Sequence, residues 1–248
     1  MSDAALNPAS EWDAADRKWK NLYYIGAIAA LLQLASILAS LAVRVMLGPK
    51  PDTALECFTI HQTNPFASVL RGDFLLLFLL GSYLGTFPAL YVSLRRLSPV
   101  YTALATLFTF IAVTICFASE STFSMLYLGN QYATASTEAQ RLQFLSAGEA
   151  VIASDMWHSS GAYVSGILLQ GSGVIISIIM LRSRDFNKVT AISGLLGNAL
   201  DLLQHLLNPF SPSISASIMP LMGVFYFIWF PMLSRDLFRL ARRSSFKS

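Results

Sequence analysis

The chain has 248 residues, of which 54% are hydrophobic and only 12% are charged. Soluble domains carry about twice that share of charged residues, so this composition excludes a soluble globular protein. It also excludes a disordered or nucleic-acid-wrapping chain, and we expect no nucleic-acid partner. A mean hydropathy of +0.55 indicates an integral membrane protein, whose principal partners are membrane lipids.

Six apolar stretches are each long enough to cross a hydrocarbon core, which takes roughly 20 helical residues. The sequence therefore predicts an all-α fold, a polytopic transmembrane bundle of six helices occupying residues 22–234. The predicted spans are 22–47, 74–94, 99–118, 160–181, 189–207 and 214–234.

The segment before the first span, residues 1–21, carries both acidic and basic residues. Ser10-Glu11-Trp12-Asp13 is typical of a helix start, and Trp12 and Trp19 are seven residues apart. We predict a short cytoplasmic helix at the membrane interface. The apolar stretch that follows is too long for a cleavable signal peptide, so it is predicted to be an uncleaved anchor.

The long loop at 119–159 is the largest segment predicted outside the membrane. Thr137 and Gln140 fit a capping box, and apolar residues recur after them at helical spacing. The pattern predicts a helix over 137–153 that covers the bundle.

The C-terminal residues 235–248 alternate apolar and basic side chains. This basic tail is predicted to be a short cytoplasmic helix on the anionic inner membrane surface; a partner-binding helix is the alternative.

Thirteen of the 17 basic residues fall on one side of the predicted bundle, together with both termini. The other side carries only Arg44, Lys50, Arg71 and Arg141. Because cytoplasmic loops are enriched in Lys and Arg, both termini are predicted to be cytoplasmic and the 119–159 loop external, in a plasma (inner) membrane.

The candidate site is the polar face of the fifth span, where Asn198, Asp201 and His205 recur at helical spacing beside Gln204. A charged side chain within a span costs about 2.5–3.5 kcal/mol, so such a face should turn toward protein or water. Asp201 either forms a structural pair, with His205 or with Arg71, or it binds a ligand, an ion or a substrate.

Asp155 and His158 form a second acidic and basic pair just before the fourth span, where Asp155 either caps the helix or contributes to a site. We predict one outward-opening ligand cavity between spans 4 and 5. Its floor would be Asn198 and Asp201, and its rim His205, Asp155 and His158. Asp201, His205 and His158 are the candidate catalytic residues if the protein is an enzyme.

Histidine and carboxylate side chains on this side could also hold zinc or a similar ion, although they come from separate segments. No cofactor can be assigned, because the usual nucleotide, metal and hydrolase motifs are absent from the sequence. Cys57 and Cys116 are both predicted on the outer side and could form a disulfide, or remain two unrelated thiols.

The stretch Met180-Leu181-Arg182-Ser183-Arg184-Asp185-Phe186 resembles a widespread prokaryotic family of six-helix membrane proteins, catalogued as a domain of unknown function. Tyr23-Tyr24-Ile25-Gly26, Met125-Leu126, Ala147-Gly148-Glu149-Ala150 and Trp229-Phe230 follow the order of features in that family. The resemblance implies the six-helix plan and no activity.

Three functions stay open. The first is a membrane protein that binds a lipid or small amphiphile, or serves as an accessory subunit to a membrane-protein partner. The second is a membrane enzyme acting on a lipophilic substrate through Asp201 and His205. The third is a small transporter, although the predicted spans place only glutamines and glycines near the midplane.

Overall fold

The computed structural model describes residues 18–246, which form α-helices joined by short turns and contain no strand. The helices are α1 (Lys20–Leu47), α2 (Ala54–Thr63), α3 (Pro65–Arg71), α4 (Phe74–Leu94), α5 (Pro99–Ala118), α6 (Thr122–Thr134), α7 (Glu138–Ala153), α8 (Ser160–Arg182), α9 (Lys188–Leu207) and α10 (Pro212–Phe246). Five helical stretches are long and apolar enough to cross a membrane: α1, α4, α5 with α6, α8, and most of α10.

Helix α9, the fifth predicted span, is not among those five stretches. It has 20 residues and begins and ends within one residue of the prediction. Asn198, Asp201, Gln204 and His205 lower its mean hydropathy, and the first three of these are buried inside the bundle. The polar face of α9 therefore turns toward protein, as expected for a helix whose other neighbours are lipid or apolar side chains.

At each end of the bundle, carboxylates join segments that are distant in sequence. At one end, Lys50 contacts the carboxylates of Asp73 and Asp155. At the other end, Asp236 of α10 accepts hydrogen bonds from the Asn187 backbone and the Thr190 hydroxyl. Helix α9 runs from this second end to the end that carries Lys50.

Small residues allow the membrane-type helices to approach closely. A Cβ added to Gly26 of α1 would lie 2.5 Å from the Cβ of Ala89 of α4. Apolar side chains have no hydrophobic reason to associate in lipid, so this close packing supplies the attraction between helices. Helix α10 packs against both α1 and α9 and fills the core with Trp229, Phe230 and Leu233.

Four short helices, α2, α3, α6 and α7, form a cap at the Lys50 end, which we call the outer cap after the side of the membrane predicted for it. Its apolar centre is Ala54, Phe58 and Met125. Half of the predicted capping box forms: the Thr137 side chain accepts a hydrogen bond from the Gln140 backbone at the start of α7, but the Gln140 side chain accepts from the Ser136 backbone instead of that of Thr137. The sequence did not predict α2, α3 or α6, which are short and lack strong periodicity.

Helix α10 continues without a break past residue 234, where a separate interfacial helix was predicted to begin. Leu233, Leu237 and Ala241 recur every four residues and are fully buried. The apolar face of the last span therefore extends into the basic tail and packs on the bundle. Most of the interfacial helix predicted in residues 1–21 falls on 1–17, outside the described residues.

Candidate functional site

A cavity of about 300 Å³ lies inside the bundle, toward the outer cap. Most of its wall is apolar and is supplied by α1, α4, α8 and α10, with Leu80, Leu169 and Phe230 among its side chains. Met156 and Trp157, in the turn between α7 and α8, contribute a further part of the wall. The volume is at the lower end of the range found for small-molecule pockets.

One side of the cavity is polar and centres on Asp201 of α9. Its Oδ1 lies 3.1 Å from Nδ1 of His205, one turn further along the same helix. Its Oδ2 accepts a 2.8 Å hydrogen bond from the hydroxyl of Tyr226 of α10. Both oxygens of this carboxylate therefore have a protein partner, which is what burial of a charge inside a bundle requires.

The hydroxyl of Tyr226 also joins α10 to α8. Gln170 Oε1 lies 3.0 Å from that hydroxyl, and Asn198 Oδ1 lies 3.5 Å from it. Asn198 in turn donates a 2.7 Å hydrogen bond to the backbone oxygen of Gly194. Asn198 lies behind Tyr226 and does not line the cavity.

Two glycines of α8 make room for this polar face. A Cβ added to Gly166 would lie 2.0 Å from the His205 ring, and one added to Gly173 would lie 2.0 Å from the Asn198 amide. The glycines are seven residues apart, as are Asn198 and His205. Seven residues are about two helical turns, and the two helices are antiparallel. Gly166 therefore faces His205, and Gly173 faces Asn198 two turns away.

A second recess of about 240 Å³ lies beside the cavity at the capped end. Its wall includes His158, Tyr163 and Asn208, and it shares Trp157 and His205 with the cavity. His205 therefore stands between the two spaces.

Trp157 is held in place by the ionic contacts at the capped end. Its indole nitrogen donates to both oxygens of Asp73 at 3.0 Å. Lys50 lies 2.6 Å from Asp73 and 3.1 Å from Asp155. These contacts tie the α1–α2 turn, the start of α4 and the α7–α8 turn together around one wall of the cavity.

Lys50 is stabilised in its charged form by this arrangement. Partial burial by itself lowers the pKa of the Lys50 ammonium, but the nearby Asp73 and Asp155 carboxylates outweigh it and the net pKa is raised above 10.5. Asp155 is 1% exposed and also accepts hydrogen bonds from the Trp157 and His158 backbones. Asp155 thus orders the turn that precedes α8.

The family model for the Domain of unknown function (DUF4386) matches residues 24–233 of the chain. The chain belongs to this family. No similar curated protein and no similar solved structure was found.

In this member of the DUF4386 family, the sequence-predicted site residues separate into two groups. Asp201, Gln204 and His205 line the cavity, and His158 lines the adjoining recess. Asp155 and Asn198 line neither space and instead bond neighbouring protein groups. Of the two structural partners considered for Asp201, His205 is the one in contact.

Arg71 does not pair with Asp201. Its guanidinium contacts Glu56 at 3.2 Å and donates to the backbone oxygen of Pro49. In the outer cap, Arg71 lies against α2 and the α1–α2 turn. The sequence alone did not predict this contact.

Of the two alternatives for the cysteines, the structure has the unrelated thiols, because Cys57 and Cys116 are both free. Cys57 packs in the outer cap near Phe58, whereas Cys116 lies in α5 with its thiol 3.4 Å from the Ser165 hydroxyl. The two cysteines belong to different packing clusters. Among residues 18–246, no group of three or more His, Cys, Asp or Glu side chains is arranged to hold a metal ion.

The helix predicted at 137–153 does not cover the cavity. Helix α7 packs on α2 and α6, and none of its residues lines the cavity or the recess. Met156 and Trp157, which follow α7, line both spaces. The apolar residues of α7 pack within the outer cap. The cavity is instead covered by the turn that follows α7.

Tyr83, Gln170, Tyr226 and Trp157 were not predicted as site residues, although all four line the cavity. Gln170 is one of the glutamines near the predicted midplane, a position that a hydrogen bond between helices explains equally well. A signal in the sequence could have predicted that α8 packs against α9. Gly166 and Gly173 have the same seven-residue spacing as Asn198 and His205.

Proposed function

We propose that this protein is an integral membrane protein that binds a lipid or small amphiphile in the cavity between α4, α8, α9 and α10. The observation that supports this function is the division of one cavity into an apolar part and a polar wall formed by Gln170, Asp201, Gln204, His205 and Tyr226. An amphiphile places its apolar body and its polar end in two such environments.

The proposal includes six membrane spans, with α9 as the fifth. Helix α9 is long enough to cross, at 20 residues, and its polar residues are covered by α8 and α10. Placing the basic loops and both termini in the cytoplasm puts the outer cap, the recess and His205 at the outer leaflet of a plasma membrane. A ligand would then reach the cavity from the outer leaflet.

This orientation is tested with single cysteines at residues 140 and 245 in a Cys57→Ser, Cys116→Ala background. An impermeant maleimide added to intact cells should label residue 140 and leave residue 245 unlabelled until the cells are opened. Protection of residue 140, or labelling of residue 245 in intact cells, would overturn the orientation.

Ligand binding is tested by substituting leucine for each of two glycines that have open space around them. Neither Gly223 of α10 nor Gly171 of α8 has a neighbouring atom within 4 Å of an added Cβ, but only Gly223 lines the cavity. Gly223→Leu should therefore fill part of the cavity, whereas Gly171→Leu is the matched control.

Each protein is purified from native membranes in nanodiscs, and tightly bound lipid is identified by native mass spectrometry. We expect a bound amphiphile in the wild-type protein and in Gly171→Leu, and its loss in Gly223→Leu. Equal occupancy in all three proteins would contradict the proposed site.

The second candidate function is an enzyme acting on a lipophilic substrate. It is favoured by the Asp201–His205 contact, which orients one ring nitrogen and leaves Nε2 for a reacting group. Ser165 and Cys116 line the same cavity, but Ser165 donates to the Ala162 backbone and Cys116 to Ser165. Turnover of a ten-carbon ester that disappears in His205→Asn would favour the enzyme.

A further inference from the structure

Three polar groups that line the cavity have no hydrogen-bond partner in the described part of the chain. They are the hydroxyl of Tyr83 on α4, the amide nitrogen of Gln170 on α8, and Nε2 of His205 on α9. Tyr83 and Gln170 are 4% and 6% exposed. Buried polar groups in proteins are almost always bonded, so the Tyr83 hydroxyl and the Gln170 amide nitrogen await a partner inside the cavity, and His205 Nε2 lies beside them.

The carboxylate in the cavity already has its partners within the protein. The carboxylate of Asp201 has His205 on one oxygen and the Tyr226 hydroxyl on the other. A cationic ligand would have to share an oxygen that already has a partner, and an ammonium group has no acceptor for the Gln170 amide nitrogen.

An anionic ligand meets the opposite difficulty. Among the described residues that line the cavity there is no Lys and no Arg. His205 is the one described lining side chain able to carry a positive charge, and its Nδ1 already contacts Asp201. An anion would therefore be placed beside the Asp201 carboxylate without a cation of its own, and like charges at such a distance repel.

We propose that the polar end of the ligand is an uncharged hydroxyl or carbonyl group, bonded by Tyr83, Gln170 and His205. This inference rests on the proposed function, since it names the class of amphiphile that the cavity takes. A hydroxyl both donates and accepts hydrogen bonds, so it satisfies the Gln170 amide whichever of its two ends faces the cavity.

The experiment compares three probes with the same ten-carbon chain and different heads. They are 1-decanoylglycerol, which is uncharged; decyltrimethylammonium, a permanent cation; and decyl sulfate, a permanent anion. Each is used in tritiated form with the full-length protein in phosphatidylcholine nanodiscs, and binding is measured by scintillation proximity as a function of its mole fraction in the lipid.

We expect saturable binding of decanoylglycerol that is retained in Gly171→Leu and lost in Gly223→Leu. Each charged probe should require at least a tenfold higher mole fraction. If either charged probe binds as tightly as decanoylglycerol or more tightly, the inference is overturned and amphiphile binding stands. If none of the three binds in a manner sensitive to Gly223→Leu, the proposed function fails as well.

The contribution of the unpartnered hydroxyl is tested with Tyr83→Phe, which removes one oxygen and keeps the ring. Decanoylglycerol binding should weaken about fivefold, since one hydrogen bond contributes about 1 kcal/mol. Tyr101→Phe, on an exposed part of α5, is the control and should leave binding unchanged. Unchanged binding in Tyr83→Phe would show that the Tyr83 hydroxyl does not bond the polar end of the ligand.

Discussion

The ring of His205 on α9 occupies the space that a side chain at Gly166 on α8 would fill. An added Cβ at Gly166 would lie 2.0 Å from Cδ2 and 2.5 Å from Nε2 of that ring. The candidate site thus depends on the missing side chain at Gly166 of α8 as much as on the polar residues of α9.

This relationship predicts the effect of Gly166→Ala. The methyl group must push the His205 ring away from α8, and overpacking of this kind costs about 1–3 kcal/mol. We expect a lower melting temperature and weaker decanoylglycerol binding. Gly171→Ala, in the same helix with open space around it, should stabilise the protein by about 0.5–1 kcal/mol through helix propensity. Equal melting temperatures for the two variants would contradict the close packing.

The membrane-type helices could be predicted from sequence because their lengths and boundaries follow from continuous apolar runs. The inward turn of α9 could also be predicted, since Asp201 on a lipid-facing surface is too costly. The cavity could not be predicted from the sequence, because its wall combines side chains from several helices and no local sequence pattern connects them. Likewise, Lys50 contacts Asp73 and Asp155, which are 23 and 105 residues away in the chain.

Substitution of Lys50 tests the ionic contacts at the capped end. Lys50→Met leaves the nearly buried carboxylates of Asp73 and Asp155 without their cation. Removing one partner of a buried ion pair costs about 3–5 kcal/mol, and we expect the lower end because a third of the Lys50 side chain is exposed. The free energy of unfolding should fall by about 3 kcal/mol, whereas Lys18→Met, at an exposed lysine, should change it by less than about 0.5 kcal/mol.

The same contacts predict a dependence of stability on alkaline pH. Because the pKa of Lys50 is raised on folding, its contribution is complete below about 10.5 and is lost as the pH rises through the folded-state value. Between pH 9 and 11.5 the wild-type melting temperature should therefore fall more steeply than that of Lys50→Met. Parallel curves would show that Lys50 does not stabilise the fold through its charge.

The two free cysteines predict a defined pattern of alkylation. The intact mass should be the same with and without reductant, and the unfolded chain should take up two maleimides without reduction. Partial burial raises the pKa of the Cys57 thiol to about 11. At pH 8 only about one molecule in a thousand carries the reactive thiolate, so folded Cys57 should react about a hundredfold more slowly than free cysteine. A mass increase of about 2 Da on reduction would instead indicate a disulfide.

Two buried aspartates at opposite ends of the bundle separate a structural role from a binding role. Asp201 contacts His205 and Tyr226 at the cavity, whereas Asp236 contacts Thr190 and lines neither cavity nor recess. They are 6% and 2% exposed. Asp201→Asn and Asp236→Asn each remove a charge while keeping the shape of the side chain.

Each substitution should lower the free energy of unfolding by about 1–3 kcal/mol, because a charged hydrogen-bond acceptor is replaced by a weaker neutral one. Only Asp201→Asn should also weaken decanoylglycerol binding, by about tenfold or more, since His205 and Tyr226 lose the group that orients them. Stability is measured by the melting temperature in detergent and binding by scintillation proximity in nanodiscs. If both variants lose stability and both bind decanoylglycerol like the wild type, Asp201 is a structural partner of His205 and the polar wall does not contribute to recognition.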